Sequence, residues 1–131
     1  MALLLIRVVA AAVLLSSVDQ DAAVGPAALP SVRVPLDTYP AAVRAALAPA
    51  EREFRLRPDS VDAAGRLARL LHAWEQWDLA HEAYTRAAAL APRDVRWPYL
   101  DGCVLIRLGR HAEAAVRMQQ ALAIDPRYLA V

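Results

Sequence analysis

Apolar positions recur at helical spacing through residues 61–124, in four blocks separated by short polar or proline-bearing breaks. Ser60 stands where an N-cap belongs, and a helix is expected over Val61 to Trp74. Glu75-Gln76-Trp77 reads as a turn, and a second helix runs from about Asp78 to Leu90. Pro92 stops it, because the residue before a proline is driven out of helical geometry. The next pair covers Val95 to Leu108 and His111 to Ile124. It turns at Gly109-Arg110, where glycine supplies a left-handed residue at a helix C-terminus, and it stops at Pro126. Leu67, Leu71 and Leu105 fall on the inward stripe.

Upstream, Asp37 to Arg57 also has a helical pattern. Pro40 fits a first turn, and Pro49 is expected to divide the stretch so that a second short helix follows. Val43, Leu47, Phe54 and Leu56 would make its apolar contacts. Glu51/Arg55 and Glu53/Arg57 are i,i+4 ion pairs contributing a few tenths of a kcal/mol each, on a face read as solvated. Asp19 to Pro35 carries Gly25-Pro26, Pro30 and Pro35 and few large apolar residues, the composition of an extended, mobile linker. Leu3 to Leu15 is an apolar run broken only by Arg7. At about thirteen residues it is short of the ~20 that span a bilayer and suits a signal-peptide core, with a retained N-terminal anchor as the alternative.

Pro58, Pro92 and Pro126 are separated by two equal steps of 34 residues, and small and large positions recur between them at the same interval. The small residues are Ala68 and Gly102, Ala80 and Ala114, and Ala87 and Ala121; the large ones are Tyr84 and Met118. With Val61 and Val95 as first positions, this combination of fixed spacing, size alternation and a closing proline resembles the tetratricopeptide repeat family. The resemblance covers about Val61 to Tyr128. It implies an all-α fold of helix–turn–helix pairs forming a short right-handed superhelical arc. Small side chains let paired helices approach to roughly 8–10 Å.

The chain departs from the family pattern in places. The family's early tryptophan position holds Ala64 and Pro98, with Trp97 one place earlier. Asp101 stands where an apolar residue is expected. An unpaired buried carboxylate is costly, so Asp101 must find an arginine or its helix must shift. The segment before Pro58 keeps Ala46, Leu56 and Pro58 in register but has Glu53 in an alanine position. Residues 1–18 are accordingly read as a signal peptide or anchor and 19–35 as a Pro/Ala-rich linker. Residues 36–58 are read as a degenerate repeat or cap, and 59–131 as two repeats. The expected protein is exported, bacterial, and periplasmic or membrane-anchored, and the resemblance suggests as an alternative that the chain is the N-terminal part of a longer array.

In that family the first helix of each pair lines a concave groove. Carried over by position, the groove residues are Asp62, Gly65, Arg69 and His72, then Arg96, Tyr99, Cys103 and Ile106, with Arg66 beside them. The expected partner-binding set is Arg66, Arg69, His72, Arg96, Tyr99 and Cys103. The arginines are suited to an acidic side chain or a terminal carboxylate, which their forked donors match in pairs; otherwise they are solvated or pair with Asp62 and Asp94. The family's chaperone-binding members use a Lys and Asn set that this chain lacks. Trp74, Trp77 and Trp97 are read as packing between pairs, with an aromatic contact to a peptide as the alternative.

Composition narrows the function. All fifteen basic residues are Arg, which excludes lysine-based chemistry, and fourteen acidic residues leave a net charge of +1 with the signs interspersed. That balance does not suit a nucleic-acid backbone. The single Cys103 leaves no internal disulfide and no CxxC motif. His81-Glu82 lacks the second histidine of a zinc-protease helix, since Thr85 occupies that place, and His111-Ala112-Glu113 has no paired cysteines after it. Ser16, Ser17, Ser31 and Ser60 lie in no nucleophile context. No cofactor or metal is implied. The expected function is therefore non-catalytic, a scaffold or adaptor holding an extended peptide or partner helix in its groove. The alternative is a structural piece of a longer array, completed by further repeats or by self-association through its last pair.

Overall fold

The computed structural model describes Leu29 and residues 31–128. The apolar run at residues 3–15 and most of the linker lie outside them. Among the described residues all regular structure is helical: a 3-10 turn at Leu36–Thr38, then α1 (Ala41–Leu56), α2 (Val61–Ala73), α3 (Trp77–Leu90), α4 (Arg96–Arg107) and α5 (His111–Ile124). Each helix packs chiefly on the next in sequence, α1 on α2 through to α4 on α5. The fold class expected from the sequence, all-α, is the one observed.

α1 differs from expectation. It runs unbroken through Pro49, and Pro40 caps it from outside instead of sitting in its first turn. A proline in a helix interior costs about 3 kcal/mol through a lost donor and a ring clash. Burial of Leu47, Ala50 and Phe54, on both sides of the proline, holds the helix together. Pro49 itself is exposed. Leu56, expected to pack inward, is 74% exposed because it sits on the last turn, past the contact with α2. Both expected ion pairs form, Glu51 with Arg55 and Glu53 with Arg57.

Ser60 caps α2 by accepting from the Ala63 amide at 3.2 Å. α2 and α3 turn through Glu75 at φ 57, and α4 and α5 turn through Gly109 at φ 72. The sequence announces the second left-handed residue and hides the first. α3 begins at Trp77, one residue before its expected start.

Leu47, Leu67, Leu71, Tyr84, Trp97, Val104 and Leu105 form the large-residue core. Alanines fill the close approaches: Ala68, Ala80, Ala87 and Ala121 are fully buried and Ala114 nearly so. Gly65 lies under the Trp97 indole, where a Cβ would stand 2.3 Å from Cη2. Gly102 lies under Met118, where a Cβ would stand 2.7 Å from the terminal methyl.

Leu29 and residues 31–35 fall in the stretch read as a linker. They carry no regular structure, yet they are held against the helices. Val32 is 6% exposed and belongs to the core cluster. Arg86 Nη1 donates to the Leu29 carbonyl at 3.2 Å, while its Nε donates to the Pro58 carbonyl at 2.8 Å. Its guanidinium lies 5.5 Å over the Phe54 ring.

Candidate functional site

The six candidate groove residues fall on α2 and α4, and Trp97 organises the charged ones. This indole is 1% exposed because Gly65 opposes its ring edge. Arg69 of α2 lies over it at 5.8 Å and Arg96 of α4 at 4.7 Å. The two guanidinium groups are thus brought to one aromatic ring from two helices. Both arginines are exposed, and cation–π contacts at such sites contribute roughly 0.5–1 kcal/mol. Trp97 Nε1 is buried and finds no acceptor among the described residues.

The three arginines differ in what else they touch. Arg66 pairs with Glu53 at 3.3 Å. Arg96 forks onto Asp94, with Nε 2.9 Å from Oδ1 and Nη2 2.6 Å from Oδ2. That fork holds the Asp94 carboxyl below its ordinary range, the hydrogen bond from Arg96 being the main cause. Arg69 has no carboxylate partner among the described residues. Arg66 therefore stands apart from the pair at Trp97, and Arg69 is the one cation there with spare pairing capacity.

His72 sits deeper. Its Nδ1 is 3.2 Å from the Tyr84 hydroxyl, and its ring packs edge-on against Trp77 and Tyr84. Burial, and after it the Arg107 charge, push the imidazole down from its ordinary value, so the neutral form is favoured. Burial drives the Tyr84 hydroxyl strongly upward. On α4, Tyr99 packs edge-on against Tyr128 at 5.2 Å. Cys103 is half-buried, and desolvation raises its thiol. A thiol kept protonated is a poor nucleophile. Of the tryptophans, Trp77 is partly buried and carries Arg107 over its ring at 5.8 Å, whereas Trp74 is 39% exposed.

The sequence posed the question of Asp101 without naming its answer. This carboxylate, 1% exposed, receives His81 Nδ1 on Oδ1 at 2.6 Å. Arg117 Nε stands 2.7 Å from Oδ2, an ion pair too bent for an aligned hydrogen bond. Arg117 also donates to Thr85 at 3.3 Å. The three charged or polar groups come from α3, α4 and α5 and lock these helices in register. No spacing in the sequence marks them as a set, because their separations belong to packing and not to one helical period. Among the described residues no three His, Cys, Asp or Glu side chains gather where a metal ion would sit, and no helix is long and apolar enough to cross a membrane.

No protein-family profile matches this chain, and no curated protein matches it significantly.

Proposed function

We propose that this chain is a non-catalytic, tetratricopeptide-like interaction scaffold whose α2 and α4 face holds an extended peptide bearing a carboxylate. The observation that carries the reading is the convergence of Arg69 and Arg96 on Trp97, with Arg69 lacking a carboxylate partner among the described residues. Tyr99 and Cys103 continue the surface along α4 and offer apolar contact beside the charge. A preformed site of this kind spends little on ordering when it binds. The 34-residue interval between the starts of α3 and α5 supports the repeat reading. Export, with residues 3–15 as signal or tether, is part of the same proposal.

The test is fluorescence titration of the full chain with a panel of peptides carrying either a free or an amidated C-terminus, each with and without internal acidic residues. Carboxylate-bearing peptides should bind, and Arg69→Glu in a chain that still melts cooperatively should abolish the preference. A panel bound alike by parent and variant would reject the carboxylate site.

A second reading rests on α5. Val116 is 52% and Leu122 41% exposed, so its outer face supports self-association or stacking of further helices in a longer array. Sedimentation equilibrium distinguishes it: association lost in Val116→Glu/Leu122→Glu supports stacking, and a monomer at all concentrations rejects self-association.

A further inference from the structure

The chain builds one groove twice and lays its own N-terminal segment along only the first. The stretch 31–34 forms one wall of a groove of about 540 Å³ whose other walls are Glu51, Phe54 and Arg55 of α1, Pro58, and Arg86 of α3. Advancing each of those five positions by 34 residues gives Thr85, Ala88, Ala89, Pro92 and Gln120. All five line a second groove of about 460 Å³, between α3 and α5. The first groove therefore shows how a segment packs along such walls, and among the described residues the second has the same five positions with no segment beside them. The segment along the first groove has no regular structure; one apolar side chain, Val32, is buried, and the Leu29 carbonyl three residues earlier is bonded to Arg86.

Two substitutions distinguish the second groove from the first. Ala88 replaces Phe54, so the wall lacks a ring and admits a larger side chain than valine. Gln120 replaces Arg86. Its amide oxygen accepts from Arg117 Nη1 at 3.1 Å, which leaves its NH2 to donate to a main-chain carbonyl as Arg86 does. Arg117, the cation at this groove, is engaged with Asp101, so no negative charge is required of the occupant. The chain's own segment is committed to the first groove through Val32 and Arg86, and a second copy would have to release those contacts to supply it. We infer that the α3–α5 groove docks an extended segment of a partner protein that needs no acidic residue, inserting a leucine- or phenylalanine-sized side chain and offering a carbonyl to Gln120. This site lies apart from the face of α2 and α4 and does not depend on it.

The experiment titrates the full chain, by fluorescence anisotropy, with a labelled peptide of residues 29–34 carrying Val32→Leu. Saturable binding is expected, weakened about three- to ten-fold by Gln120→Ala, the loss of one hydrogen bond. Ala88→Phe, which restores the ring found at position 54, should weaken it further, and a probe with Val32→Asp should not bind. Arg69→Glu should leave the affinity unchanged, which separates this site from the carboxylate-binding proposal. Gln120 is exposed, so its variant carries the test even where Ala88→Phe fails to fold. Absence of saturable binding overturns the inference. So does binding that ignores Gln120→Ala but responds to Arg86→Gln, since the probe would then be exchanging with the chain's own segment in the first groove.

Discussion

The two helix pairs, α2–α3 and α4–α5, share length and turn geometry but not interior. α3 buries Ala80, Ala83, Tyr84, Arg86 and Ala87, while its equal-length counterpart α5 buries only Ala114 and Ala121. The helices do not differ that much in apolar content. They differ in neighbours: α3 is packed by α2 and α4, whereas α5 packs chiefly on α4. The glycine contacts differ as well: the rigid Trp97 lies over Gly65 where α4 meets α2, and the flexible Met118 lies over Gly102 where α5 meets α4, next to the buried Asp101. Burial here is set by place in the stack, and each seam tolerates change according to the stiffness and charge of what fills it.

Breaking the charged seam should have the largest effect. Arg117→Leu leaves Asp101 buried with His81 alone and should cost about 3 kcal/mol, since removing one partner strands the other charge. Chemical denaturation checks this, with Asp101→Asn as the milder companion. The two glycine seams come next. Gly65→Ala pushes a Cβ into an indole that has nowhere to go and should cost about 1–3 kcal/mol. Gly102→Ala meets only the end of a methionine, and better helix propensity offsets the contact, so its midpoint should fall within about 0.5 kcal/mol of the parent. Equal losses at the two sites would refute the argument from stiffness.

The turns sharpen the comparison further. Glu75→Gly should stabilise by about 1 kcal/mol, and Gly109→Ala should destabilise by a similar amount, because both positions lie in the left-handed region. Thermal melts of the two variants should therefore move in opposite directions. The smallest effect is in pH. The His72 imidazole is held below its ordinary value of 6.5, first by burial and then by Arg107. The folded chain thus binds fewer protons than the unfolded chain below that pH. Its contribution is full above about 6.5 and is lost as pH falls toward the lowered folded value. A plot of Tm against pH should flatten over that window in His72→Gln, and an unchanged slope would discount His72.

Much of the fold was legible. The four helices of residues 61–124 lie within a residue or two of their expected limits, because periodicity, Ser60, Gly109 and the prolines are local signals. Pro49 misled, since burial of Leu47 and Phe54 outweighed a local break. Glu75 was missed because a left-handed glutamate has no compositional mark. At the candidate site, residue numbers placed Arg69 and Arg96 on the right helices. That they meet at Trp97 while Arg66 turns to Glu53 depends on how α1, α2 and α4 pack.

The sequence by itself determined the helices, their stops, and the alternation of small and large residues that permits close approach, for these act within one or two turns of chain. Only the tertiary structure decided which charges are spent and which remain. Asp101 finds its partners, His81 and Arg117, on two other helices, Val32 is buried against the helices while Arg86 holds the Leu29 carbonyl, and Arg69 keeps its pairing capacity. Those outcomes rest on distances between residues far apart in the chain, and such distances exist only once the helices have been packed.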